Sequence, residues 1–182
     1  IEAVGEAIKN RLATTKSGDP MLEGVRMGSL ATKTQVERVQ EAVSILSKEN
    51  DILFGSLSGE SQAIAENPKN GAYFAPLLFL NNDPVNKLSC HDIEAFGPVS
   101  TLMPYNSASD AADIVALGKG SLVTTIVSSE KEIYKSYALA AAHSNGRVLV
   151  LDSSSAKEST GHGSPMPLLT HGGPGRAGDG EE

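Results

Sequence analysis

Tryptophan is absent from the 182-residue chain, and cysteine occurs once, at Cys90. A single thiol excludes an intrachain disulfide and any structural zinc site built on cysteines. A chain without disulfides suits a reducing, cytoplasmic compartment. Positive charge is scarce: 15 Lys and Arg face 22 Asp and Glu, a net charge of −7. That balance argues against nucleic acid as a partner, because such binding works by neutralising phosphates. Long apolar runs are missing as well. Stretches such as 75–80 fall far short of the ~20 residues that cross a bilayer, so no membrane partner is expected. The histidines, His91, His143, His162 and His171, have no metal-ligand spacing, so no metal site is expected.

What remains is an ordinary globular balance, with 40% apolar and 20% charged residues. The length suits one domain with a real core. The chain opens at Ile1 on a helical pattern and closes at Glu181-Glu182 after a glycine-rich stretch, which reads as part of a longer polypeptide.

Residues 2–16 place Val4, Ala7, Ile8 and Leu12 on one helical face, and 32–48 repeat the pattern with Val36, Val39, Val43 and Leu46. Gln35, Glu37, Arg38 and Gln40 fill the other sides of that second helix. Residues 52–54, 76–80 and 98–103 read as short strands. Ser107 caps a helix over 107–117, with Asp110 three residues on. A β-branched strand over 122–127 follows. Ser129 and Glu132 then have capping-box spacing ahead of a helix with Ile133, Tyr137, Ala140 and Ala141 inward. Asn145-Gly146 is expected to end that helix in a left-handed turn before a strand over 147–151. The alternation implies a doubly wound α/β fold, mostly parallel, with helices on both faces. Residues 1–151 are expected to form the α/β body. Residues 152–182, rich in Gly, Pro and Ser, are expected to form a loop at the ligand-facing carboxyl ends of the strands.

Gly173, Gly175 and Gly178 satisfy G-x-G-x-x-G, but a polar loop precedes them and no helix follows, so a tight loop is the better reading than a dinucleotide fingerprint. Cys90 and His91 are adjacent, and neighbouring side chains diverge on a helix or a strand, so adjacency makes no catalytic dyad. Glu94 and Phe96 just precede a buried strand. A carboxylate there accepts hydrogen bonds from sugar hydroxyls, and an aromatic ring packs on a planar cofactor. The plainer alternatives are a solvated acid and a core phenylalanine.

The string Glu94-Ala95-Phe96-Gly97-Pro98-Val99 resembles the E-x-F-G-P-V signature of the aldehyde dehydrogenase superfamily. Gly18-Asp19-Pro20, Met27-Gly28-Ser29-Leu30, Gly71-Ala72-Tyr73-Phe74-Ala75-Pro76, Gly146-Arg147-Val148-Leu149-Val150 and the glycine loop from Gly172 to Gly178 resemble further segments of that family, in order. The wording around 91–105 and 161–178 is similar to the aldehyde dehydrogenase half of phenylacetate-degradation bifunctional enzymes and to related CoA-semialdehyde dehydrogenases. The resemblance implies the C-terminal part of the catalytic domain of an enzyme that oxidises a CoA-linked semialdehyde to the acid with NADP or NAD. In that family a cysteine thiolate attacks the aldehyde, hydride leaves to the nicotinamide, and a glutamate-activated water hydrolyses the thioester. By the same resemblance Glu94 holds the nicotinamide ribose, Phe96 abuts the nicotinamide, and residues 156–170 line the aldehyde entrance.

The family's nucleophile and general base have no counterpart here; Cys90 precedes the signature and is not that cysteine. No catalytic residue is therefore assigned within the chain, and the isolated chain is expected to be inactive. A dinucleotide-binding half of the same enzyme and a homo-oligomer are implied as partners. Ser29, Leu77 and Asp152 depart from the usual proline, threonine and asparagine. The rival reading is a non-catalytic α/β module for assembly or ligand binding.

Overall fold

A computed structural model of the chain describes residues 1–155, 157–158 and 171–178. Two compact units divide between Pro104 and Tyr105, ahead of the composition change at Asp152.

In the unit Ile1–Pro104 the helix α2 (Lys33–Leu46) begins where Thr32, in extended conformation, accepts the Gln35 N–H on its side chain. Its buried residues Val39, Val43 and Leu46 recur at helical spacing and pack on the central strand of a three-stranded sheet. The strands are β1 (Asp51–Phe54), β2 (Leu77–Leu80) and β3 (Val99–Leu102). β1 runs antiparallel to β2 with an irregularity between Ile52 and Phe54, and β2 runs parallel to β3 from Leu77↔Val99 to Leu80↔Leu102. β2 reads Leu-Leu-Phe-Leu because it is covered on both faces. Leu77 and Phe79 join Phe74 and the α2 residues in one core.

The helix α1 (Glu2–Ala13) departs from expectation. Val4 and Ala7 are exposed rather than inward, and the buried residue is Gly5. Lacking a side chain, Gly5 brings the helix backbone close to Leu53 and Leu102. Beside it a groove of about 320 Å³ runs along Leu53, Leu80 and Leu102.

The short helix α3 (Ser89–Asp92) completes the first unit, and the unit Tyr105–Glu182 contains α4 (Ala108–Ala116), β4 (Ser121–Val127), α5 (Lys131–Ala141) and β5 (Asn145–Leu151). β4 and β5 pair in parallel from Ser121↔Asn145 to Val127↔Leu151. The strand–helix alternation over 98–151 is present, but β3 completes the first sheet and β4 opens a separate two-stranded one. Ser107 caps α4 as expected, accepting the Asp110 N–H at 3.1 Å while its hydroxyl donates to the Asp110 carboxylate at 2.8 Å.

α5 corrects three readings. The Ser129–Glu132 box does not form; Glu130 is the N-cap, and Ser128 takes the Glu130 N–H at 3.1 Å one residue too early for a box. Tyr137 and Ala141 point inward, but Ile133 and Ala140 are exposed. Nor does Asn145-Gly146 form a left-handed stop. The chain passes through a 3-10 turn at Ala142–Ser144, and Asn145 is already extended at the start of β5. Its side chain does the capping instead, donating to the Ala141 carbonyl at 2.8 Å.

Phe79 is fully buried at the meeting of α2 and β2. Phe79→Ala should cost about 3–5 kcal/mol; urea unfolding of the chain measures it, and a loss below about 1 kcal/mol would mean that the core lies elsewhere.

Candidate functional site

Residues 93–98 lead from α3 into β3. Ile93 is extended, with φ −113° and ψ 121°. Side chains of extended backbone alternate in direction. Ile93 and Ala95 pack against the core, while Glu94 and Phe96 face outward. Phe96 is 70% exposed, which rules out the core reading of that ring. The Gly97 N–H donates to the Ala95 carbonyl at 2.7 Å, and the Val99 N–H to the Gly97 carbonyl at 2.8 Å. The Pro98 carbonyl accepts from Leu77 N–H at 2.9 Å and so starts the β2–β3 ladder. A Cβ on Gly97 would stand 2.9 Å from a methyl of Val39, so only glycine lets this turn lie against α2.

Gln35 fastens the same turn from the helix side. Its side-chain amide donates to the Phe96 carbonyl at 2.6 Å and accepts from the Ala31 N–H at 3.0 Å. The sequence reading treats Gln35 as one more polar residue on the outer side of α2. The signal that finds it is the spacing Thr32-x-x-Gln35, the S/T-x-x-E/Q pattern of a helix start.

Cys90 and His91 are spent on structure. The half-buried Cys90 thiol accepts from the Asn81 amide at 3.1 Å and faces the Lys87 carbonyl at 3.7 Å. Burial pushes the thiol up, away from the thiolate a nucleophile needs. The buried His91 ring meets the Pro84 carbonyl through Nε2 at 2.7 Å. Asn81, fully buried, also receives the Asp83 N–H and donates to Lys87 O. The Glu49 carboxylate accepts the Ser89 N–H at 2.9 Å at the start of α3, and that bond holds its carboxyl below the usual range.

In the second unit the glycine loop serves as a clasp. Gly120, at φ +115°, would bring a Cβ to 1.9 Å from the Pro174 carbonyl, and a Cβ on Gly173 would meet the Ser121 carbonyl at 2.7 Å. The Arg176 N–H donates to Lys119 O at 2.9 Å. Residues 172–178 therefore lie on the amino ends of β4 and β5, not on the carboxyl ends. Among the described residues, the carboxyl end of β5 carries the 152–155 turn. His171 is exposed. His162 and most of 156–170, where the aldehyde entrance is expected, lie outside the described residues. Among the described residues no group of three His, Cys, Asp or Glu side chains is placed to hold a metal ion, and no helix is long and apolar enough to cross a membrane.

The sequence profile described as the aldehyde dehydrogenase family matches residues 1–163. The chain belongs to the aldehyde dehydrogenase family. It is 43% identical over 157 residues to the protein MaoC of Klebsiella aerogenes, a match covering 86% of this chain and 45% of that one. It is 34% identical over 172 residues to the 3,4-dehydroadipyl-CoA semialdehyde dehydrogenase of Aromatoleum evansii, covering 94% and 33%. The chain thus spans less than half the length of these relatives.

Among solved structures it superposes on a succinic semialdehyde dehydrogenase from Streptococcus pyogenes, crystallised with NADP+, with TM-score 0.77 and 21% identity over 98% of this chain and 35% of that one. A betaine aldehyde dehydrogenase from Staphylococcus aureus, crystallised with NAD+, gives TM-score 0.79 at 17% identity over 97% and 32%. At such identities the likeness is one of fold, and it confirms the α/β class expected from the sequence.

Within this aldehyde dehydrogenase chain, Asp152 stands where the family resemblance expects asparagine. One carboxylate oxygen of Asp152 accepts from the Ser154 hydroxyl at 2.6 Å, from the Ser154 and Ser155 N–H groups at 2.9 Å each, and from the Ser155 hydroxyl at 3.1 Å. These donors, the Ser154 hydroxyl first, hold the carboxyl at about 2 against the usual 3.8. A depressed carboxyl stabilises the fold at pH above its unfolded value and loses that contribution as pH falls through its folded value. Carboxyl NMR should therefore place the Asp152 midpoint at about 2. Asp152→Asn should remove the corresponding acid limb from the unfolding profile while keeping the turn. A midpoint at the usual value would contradict the geometry.

Proposed function

We propose that the chain is part of an NAD(P)-dependent aldehyde dehydrogenase that oxidises a CoA-linked semialdehyde to the carboxylic acid. The pairing of Glu94 and Phe96 carries the reading: a carboxylate and an aromatic ring, both facing solvent, on one segment fixed to the core. Their chemistry fits the nicotinamide end of a dinucleotide. The carboxylate accepts from ribose hydroxyls, and the ring offers an apolar face to the nicotinamide. When bound, the dinucleotide supplies the hydride acceptor. In this proposal Glu94 orients the ribose, and Phe96 sets the depth at which the nicotinamide stops and keeps water from its face.

The reactive thiol and the general-base glutamate come from residues outside these 182, together with the dinucleotide-binding half. Cys90 takes no part, because its sulfur is already engaged by Asn81 and its thiol is held protonated. The substrate class is supported by the 34% identity to a CoA-semialdehyde dehydrogenase and by the stronger likeness to MaoC. A role in aromatic-acid degradation, a cytoplasmic location and homo-oligomeric assembly belong to the same proposal.

The complete enzyme tests it. Glu94→Gln should weaken dinucleotide binding by roughly tenfold or more, as expected for losing hydrogen bonds to a charged acceptor. Phe96→Ala should weaken it by a few-fold. Cys90→Ala should keep kcat within about twofold. Unchanged dinucleotide affinity in both of the first two variants would remove Glu94 and Phe96 from the site. A separate expectation concerns the 182 residues alone, which should turn over no aldehyde with NAD(P)+; robust activity would show that a competent nucleophile lies inside them.

A further inference from the structure

Gln35 stands on α2, far in sequence from Glu94 and Phe96, yet its amide is the hydrogen-bonding link between that helix and their segment. Every polar group of the residue near this point has a use. The backbone N–H goes to the Thr32 hydroxyl at 3.1 Å. The amide oxygen takes the Ala31 N–H at 3.0 Å, and the amide nitrogen gives to the Phe96 carbonyl at 2.6 Å. Only one orientation of the amide satisfies both partners, since a carbonyl needs a donor and an N–H needs an acceptor.

The two halves of the amide do different work. Satisfying a free N–H at a helix start requires an acceptor alone, and a glutamate at this position would do so with the favourable sign for a helix N-terminus. The donor half serves the Phe96 carbonyl. Of the other backbone hydrogen bonds nearby, Gly97 to Ala95 and Val99 to Gly97 are closed within the turn itself, and Leu77 to Pro98 ties the far end of the turn to β2, two residues beyond the Phe96 carbonyl. Ile93 and Ala95 hold the segment down by apolar contact, which resists lifting but has little directional preference. The Gln35 bond adds direction: it fixes the rotation of the peptide that follows the Phe96 Cα, and hence where the Glu94 and Phe96 side chains aim.

We propose that Gln35 is a positioning residue for dinucleotide binding: through the Phe96 carbonyl it orients Glu94 and Phe96, and it does so separately from its part in starting α2. This rests on the reading of Glu94 and Phe96 as cofactor-facing.

The test separates the two halves of the amide in the complete enzyme. Gln35→Glu keeps the acceptor for Ala31 and removes the donor for Phe96. Its melting temperature should stay close to that of the parent, while the Kd for NAD(P)+ rises about tenfold, the effect of one lost hydrogen bond that orders a binding segment. KM for the aldehyde should be unchanged. The rise should persist in about 0.5 M salt, where repulsion between an added carboxylate and the cofactor's phosphates is screened. Gln35→Lys reverses the pattern: it donates to Phe96 but accepts nothing from Ala31, so it should lower the melting temperature and leave the Kd within about twofold. If Gln35→Glu fails to fold, uncharged Gln35→Met supplies the same Kd comparison.

A Kd unaltered in Gln35→Glu, or a rise that vanishes at high salt, overturns the inference while Glu94→Gln and Phe96→Ala still weaken binding. If those two variants also leave binding unchanged, the reading of the site falls and the inference falls with it.

Discussion

The contact between α2 and β2 is the constraint on which the first unit depends. Val39, Val43 and Leu46 on one side and Leu77 and Phe79 on the other exclude water from the middle of the sheet. Val39 has a second neighbour. Gly97 lies so close that a single added carbon would meet its methyls. The core therefore fixes the turn directly. The turn fixes the Phe96 carbonyl for Gln35 and the Pro98 carbonyl for Leu77. A segment bound this firmly by its backbone leaves two side chains, Glu94 and Phe96, for other purposes. Rigid backbone with outward chemistry is what a binding site needs, because affinity is lost when a loop must be ordered at each encounter.

The second unit shows a different economy. There the chain is held by backbone meeting backbone, at Gly120 against Pro174 and Gly173 against Ser121. Side chains would forbid these approaches. The clasp ties the amino ends of β4 and β5 to 172–178, and Asp152 organises the opposite end of β5 through two serines. The stretch between the two anchors is the one that the family resemblance associates with aldehyde entry.

Much of this was legible in the sequence where local rules are strong. The spacing of Val39, Val43 and Leu46 marks α2, and Ser107 with Asp110 marks the start of α4 within a residue. Glu94 and Phe96 enter as candidates only through the E-x-F-G-P-V string, since nothing in their own composition separates a site acid from a solvated one. The failures share a cause, which is competition between neighbouring groups. Ser128 outcompetes Ser129 at the start of α5, and the Asn145 side chain replaces a left-handed turn at its end. α1 shows tertiary contact overriding pattern: Gly5 permits an approach to Leu53 and Leu102 that the Val4 face does not. Gln35 was missed because its role depends on a partner 61 residues away, and no periodicity within α2 announces such a link. The split at Pro104 was likewise invisible to composition, because strand and helix alternate evenly across it.

The most direct measurement is a crystal structure of the complete enzyme with its dinucleotide bound. The account predicts the Glu94 carboxylate within about 3 Å of the nicotinamide ribose hydroxyls, the Phe96 ring against the nicotinamide, and the Phe96 carbonyl still held by Gln35. A dinucleotide seated elsewhere, with Glu94 and Phe96 left in solvent, would contradict it.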